Sequence, residues 1–195
     1  RLMSRVIVPK SAVELALTQA GRHLRENVEP RLLNEFSQMK TSLLSNFDDH
    51  PVTRELELKT GADPSAFTSY GSLFGFIGFN ESDEPTRIVR EMLEKSELKF
   101  IKSKSGRLDF RVFHPSKEEL FAATPLPWAT GRSWLRGIES GMSGFGRYLN
   151  IENEASRAGK GIQAKNKLRS TRFKPTKYIS KILIDFIQKI EKLSL

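Results

Sequence analysis

Three kinds of side chain in this sequence could carry chemistry: histidines, a serine set among glycines, and carboxylates in adjacent pairs. His23, His50 and His114 fall on an expected helix, a helix end and a strand end. Two imidazoles four residues apart on a helix could share a metal, but no pair here has that spacing and no Asp/Glu motif accompanies them. Satisfied or solvent-facing histidine is the ordinary reading. Ser140-Gly141-Met142-Ser143-Gly144 resembles a nucleophile elbow only superficially, because the Gly-x-Ser-x-Gly frame is absent. The pairs Asp48/Asp49, Asp83/Glu84 and Glu118/Glu119 sit where caps or exposed faces are expected. No constellation for general acid–base work emerges, so the expectation is a protein that is not an enzyme and carries no metal or cofactor. The chain has no cysteine, which excludes thiolate catalysis, disulfides and cysteine-ligated metal and fits a reducing compartment.

The charge is more informative. Residues 1–154 hold 21 basic and 21 acidic side chains and are neutral, whereas residues 155–195 hold 11 bases and 2 acids, so the whole net charge of +9 sits there. Arg157, Lys160, Lys165, Lys167, Arg169, Arg172, Lys174 and Lys177 belong to a run without an acid. Such a block favours a polyanion or an acidic protein surface, or is a solvated loop. Only Phe173 and Tyr178 could stack on bases, so contact with nucleic acid would be to the backbone, without sequence reading.

These features must be positioned by a chain of 195 residues, 38% hydrophobic, which is enough for one sizeable core. The expectation is a single soluble domain over 1–195 with a long basic loop or arm at about 150–172. No apolar run approaches transmembrane length, and the N-terminus is not of the secretory kind. The sequence begins at Arg1 with its first methionine at Met3, so residues preceding Arg1 are expected in the natural protein.

Pro125–Leu149 contains both tryptophans and five of the thirteen glycines. Trp134, Ile138, Met142, Phe145 and Leu149 recur at helical spacing, yet each interior glycine costs about 1 kcal/mol relative to alanine. A short ordered element around Ser133–Glu139, then turns, follows from the two signals together; core filler in a tight corner is the ordinary account of these residues.

Upstream, Ser11-Ala12-Val13-Glu14 is a capping box and predicts a helix start. Val13, Leu17, Leu24, Val28, Leu32, Phe36, Met39, Leu43 and Phe47 form one apolar stripe whose phase survives Pro30, which predicts one helix kinked near Val28–Pro30 or two nearly collinear helices. His50-Pro51-Val52-Thr53 ends it, Arg54–Lys59 is expected as a charged connector, and Thr60–Gly71 as a loop. Leu73–Phe79 is short, apolar and aromatic and is expected as a buried strand; its Gly-x-x-Gly spacing lacks the Lys-Ser/Thr of a phosphate loop. A helix is predicted from Pro85 with Ile88, Val89, Met92 and Leu93 inward. Leu98–Phe100 and Leu108–Val112 predict a hairpin, Ser116–Leu120 a helical turn, Thr124–Pro127 an extended lead, and Asn150–Arg172 a long loop. Pro175 is expected to open a last helix with Ile179, Ile182, Leu183, Phe186, Ile187, Ile190 and Leu193 on one face. The expected class is α+β: a long N-terminal helix kinked near Pro30, a small mainly antiparallel sheet with a hairpin, and an amphipathic C-terminal helix.

From about Ser11 onward this order of parts resembles the tail-completion, or neck ring, proteins that join the head connector to the tail in long-tailed bacteriophages. The likeness rests on His50-Pro51-Val52-Thr53-Arg54-Glu55-Leu56 at a Pro-Val-x-Thr-like corner. It rests also on Trp134-Leu135-Arg136-Gly137-Ile138-Glu139-Ser140-Gly141 at a Glu-x-Gly turn, and on Arg172-Phe173-Lys174-Pro175-Thr176-Lys177-Tyr178-Ile179 leading into the last helix. Thr53-Arg54 departs from the usual Thr-Gly, and the Leu73–Phe79 element and the helix after Pro85 look like additions.

The resemblance implies a structural virion protein made in the host cytoplasm and located in the neck, forming a ring, commonly of six copies. Its partners would be itself, the head connector or adaptor, the tail terminator or tail tube, and double-stranded DNA in the lumen, with no membrane. Trp134, Ile138, Glu139, Gly141 and Phe145 are then expected at the subunit interface, since a closed ring joins two different faces of each copy. The basic residues from Arg157 to Lys177 would meet an acidic neighbour or the DNA. The other function class is a sequence-independent nucleic-acid-binding protein using residues 155–181.

Overall fold

A helix interrupted by proline must lose one backbone donor and accommodate the ring against the preceding turn. In the computed structural model α1 nevertheless runs as one helix from Ala12 to Asp48 with Pro30 inside it. The structure describes residues 12–59, 72–104, 107–127, 129–141, 148–149, 162–163 and 175–192; the Ser11 cap and the Thr60–Gly71 loop lie outside them. Along the stripe Leu32, Phe36, Leu43 and Phe47 are buried, whereas Leu24 is 45% exposed. Burying each of these large side chains contributes about 1.5–3 kcal/mol, so the second half of α1 is anchored more firmly than the turns around Leu24.

Helices α2 (Pro51–Glu57), α3 (Leu73–Ile77) and α4 (Pro85–Glu94) follow, then strands β1 (Glu97–Lys104) and β2 (Arg107–Phe113) and helix α5 (Lys117–Ala122). The remaining elements are β3 (Pro125–Leu126), β4 (Ala129–Ser133), α6 (Trp134–Ser140), β5 (Tyr148–Leu149), β6 (Ile162–Gln163) and α7 (Ile179–Glu191). The class is α+β, with strands paired as three separate two-stranded antiparallel ladders, β1–β2, β3–β4 and β5–β6, in place of one sheet.

The chain divides into two compact units, residues 1–38 with 97–113, and residues 39–96 with 114–195. In the first, the predicted hairpin pairs Glu97 with Phe113 through Lys104 with Arg107 and slips register between Phe100 and Lys102. Helix and hairpin approach closely at Gly21, where an added Cβ would lie 2.6 Å from Ser103 Oγ. The Arg25 guanidinium lies 4.0 Å from the centre of the Phe100 ring, which packs edge-on against Phe110.

The second unit holds most of the core, and several expectations fail there. Leu73–Ile77 is a helix, not a strand: Ser72 Oγ accepts the Gly75 N–H at 3.1 Å, and Gly78 closes the helix at φ 97°. A short run buried on all sides has no periodicity to reveal its type, and the cap serine and terminal glycine were the informative residues. Arg54–Glu57 belongs to α2 rather than to a connector; Pro51 occupies its first turn, and Val52, Thr53 and Leu56 turn inward. In α4, Val89 and Leu93 are buried as expected but Ile88 is 38% exposed.

Helix α5 has the full capping box, with Ser116 Oγ accepting from Glu119 N and the Glu119 carboxylate accepting from Ser116 N. Helix α7 begins at Ile179, four residues after Pro175, and buries Ile179, Ile182, Leu183 and Phe186. Inside the range expected as one loop, Ile162–Gln163 pairs with Tyr148–Leu149.

Candidate functional site

The His50–Leu56 corner, helix α6 and the segment that enters α7 converge in the second unit on Tyr178. Its ring is fully buried and lies 4.6 Å from the His50 ring and 5.9 Å from the Phe47 ring, centre to centre. Its hydroxyl and Thr53 Oγ1 share a 2.5 Å hydrogen bond, with either oxygen able to donate. Burial drives the phenol well above its ordinary pKa, so it stays neutral and serves as a structural hydroxyl.

His50 ends the α1–α2 corner by turning its Nδ1 to accept the Val52 N–H at 3.2 Å, which caps α2. That role requires an unprotonated Nδ1. Burial, and then the positive charge of Lys181, hold the imidazole below its ordinary pKa and favour that form.

Helix α6 supplies the third side of the junction. Ser133 Oγ caps it by accepting the Arg136 N–H at 3.0 Å. Glu139, near its end, receives the N–H groups of Tyr178 at 3.2 Å and Ser180 at 2.6 Å on Oε1. A carboxylate there satisfies the unpaired donors of the first turn of α7 and opposes the helix dipole. The Thr176 N–H donates to Ile138 O at 2.9 Å, and Gly141 takes φ 78° and ψ 152°, a conformation open essentially to glycine alone. An added Cβ at Gly141 would lie 3.3 Å from Pro175 Cγ.

This arrangement redefines the residues expected at a subunit interface. Trp134 and Ile138 face the chain's own interior, at 2% and 0% exposure. Glu139 is occupied by α7 and Gly141 by the turn against Pro175, while Phe145 lies outside the described residues. A helical apolar spacing marks a buried face without saying whether a neighbour or the same chain covers it. What α6 leaves exposed is Arg136 and Ser140.

Of the basic group, Arg157, Lys160, Lys165, Lys167, Arg169, Arg172 and Lys174 lie outside the described residues, and Lys177 is exposed just before α7. The candidate catalytic groups have structural tasks. His23 sits 3.4 Å from Glu26 on exposed α1, and His114 Nδ1 lies 3.0 Å from Pro115 O. Ser140 Oγ donates to Arg136 O at 2.7 Å. Asp48 holds Arg90, Asp49 holds Arg54, and Asp83 accepts the Asn80 N–H. Among the described residues no group of three His, Cys, Asp or Glu side chains could hold a metal ion, and no helix is long and apolar enough to cross a membrane. On sequence Tyr178 stood as a ring that could stack on bases, which its full burial rules out, and Thr53 as part of the corner; their types signal a paired buried hydroxyl only once the fold brings them together.

Comparison with protein-family models, curated proteins and solved structures finds no match for the chain.

Proposed function

We propose that the chain is a structural virion protein of a tailed-phage neck, one subunit of a ring that joins the head connector to the tail around the DNA path. One observation supports this reading above the rest. The three short segments that resemble the neck proteins are some 80 and 40 residues apart in sequence, yet they meet at Tyr178 through Thr53, His50 and Glu139. That the three segments form a single three-dimensional junction of this chain supports reading them together. Residues of such a junction fix the angle between helices, and a ring subunit needs that angle constant for its two contact faces to close.

In this reading the basic residues between Arg157 and Lys177 meet an acidic surface of a neighbouring protein. A lumen lined with them would hold DNA by phosphate contacts that must break as it passes. Neutralising Lys160, Lys165, Lys167 and Arg169 is expected to block head–tail joining while far-ultraviolet circular dichroism stays unchanged; normal assembly by that variant contradicts the assignment. The other reading, sequence-independent nucleic-acid binding through residues 155–181, draws on the exposure of Lys177 and Lys181. Tight, salt-sensitive binding to random duplex DNA would favour it.

A further inference from the structure

Two surface grooves of the second unit differ in how their charges are used. The groove beside α2 and α4 is rimmed by Glu84, Arg87, Arg90, Glu91 and Glu94. There Arg87 is held by Glu91 at 2.8 Å and Glu84 at 3.5 Å, and Arg90 by Asp48 at 3.1 Å and by Glu94. Those charges are satisfied within the chain.

The groove formed by α5, β4 and α6 is different. It encloses about 600 Å³ and is lined by Phe121, Ala122 and Pro125 together with Arg132 and Arg136. Both arginines are exposed, and among the described residues neither guanidinium has an ion-pair or hydrogen-bond partner. The single acid in the lining, Glu118, is within ion-pair distance of neither. Gly131, between the strand residues, has open space where a Cβ would stand, so no described residue fills the groove from that side.

We propose that this groove docks a segment of another protein that carries carboxylates beside an apolar side chain. The guanidinium is the cation whose planar fork takes a carboxylate through two parallel hydrogen bonds, and its weak hydration makes burial against an apolar wall inexpensive. The apolar residues argue against duplex DNA, whose convex surface offers phosphates but nothing to place on Phe121 and Pro125. A second copy of the chain is a poor occupant, because many of the carboxylates it could present are already held by its own side chains, as Asp48, Asp49, Glu84 and Glu91 are. The inference stands apart from the neck assignment: the groove can bind such a segment whether or not the chain forms rings.

Fluorescence anisotropy with a labelled peptide of glutamates interspersed with phenylalanine tests it, using a lysine–phenylalanine peptide and a random DNA duplex as comparison probes. The acidic peptide is expected to bind the wild-type chain, to bind R132E/R136E at least about tenfold more weakly, and to bind R132K/R136K with intermediate strength, since lysine keeps the charge but not the fork. Thermal melts should coincide for all three proteins, because both side chains are on the surface. Failure of the wild-type chain to bind the peptide, equal binding by R132E/R136E, or tighter capture of the duplex through the same two arginines would overturn the proposal. Loss of self-association in R132E/R136E would likewise overturn it, by making the occupant a second copy.

Discussion

Glu139, on α6, accepts the backbone N–H of Ser180, on α7, at 2.6 Å and that of Tyr178 at 3.2 Å through the same carboxylate oxygen. A helix whose own preceding residue, Tyr178, offers no side-chain cap is thus capped by a residue some 40 positions upstream. Helix α7 depends on α6 for its first turn, and loss of that one side chain should be felt at both.

Glu139→Ala is expected to lower stability by about 1–2 kcal/mol, the usual worth of a cap plus its favourable charge. Glu139→Gln retains an acceptor and should lose less. Urea unfolding followed by circular dichroism measures both, and equal stability of Glu139→Ala and the wild-type chain would refute the capping role.

Tyr178→Phe leaves Thr53 Oγ1 buried without its partner, and Thr53→Val does the same to the phenol. Each single change is expected to cost about 1–3 kcal/mol, the penalty of a stranded buried hydroxyl. The double variant should cost clearly less than the two together, and strict additivity would show that the 2.5 Å contact is not coupled.

Gly141→Ala should destabilise by about 1–3 kcal/mol from backbone conformation alone, with the contact at Pro175 adding to it. Gly131 also has positive φ, 75°, but open space around it. Gly131→Ala should therefore cost less than Gly141→Ala, and the reverse order in chemical denaturation would contradict the close approach at Pro175.

His50 gives the fold a pH dependence whose sign follows from its depressed pKa. The folded state favours the neutral imidazole, while the unfolded chain takes up a proton near its ordinary value of about 6.5. Stability from this group is complete above about pH 6.5 and falls as pH drops through the lower folded pKa. The urea midpoint should decline from pH 7.5 toward pH 5 in the wild-type chain and decline less in His50→Asn, which can still cap α2. Identical slopes for the two proteins would contradict the assignment to His50. Asp49, held down chiefly by Arg54, and Glu119, held down by the Ser116 N–H, add a separate loss at more acid pH.

Elements with a clear period or a local cap were legible in the sequence. The α1 stripe from Leu32 onward, the β1–β2 hairpin, the helical turn at Ser116–Leu120 and the buried positions Ile179, Ile182, Leu183 and Phe186 of α7 appear where their residues predict them. Elements decided by tertiary context were not. Leu73–Ile77 is buried all round and so lacks the period that separates helix from strand, and α7 starts at Ile179 because the carboxylate that caps it lies on another helix. The junction was visible as three motifs but not as one place, since no local rule pairs Thr53 with Tyr178. The same limit put Trp134 and Ile138 at an expected interface when the chain itself covers them.

The central claim is ring formation, and solution mass by light scattering across a concentration series, followed by electron microscopy of the largest species, tests it most directly. Closed rings of uniform size around a central channel are the predicted result. A monomer at every concentration that instead binds random duplex DNA with steep salt dependence would contradict the claim and turn the basic residues between Arg157 and Lys177 into the functional surface.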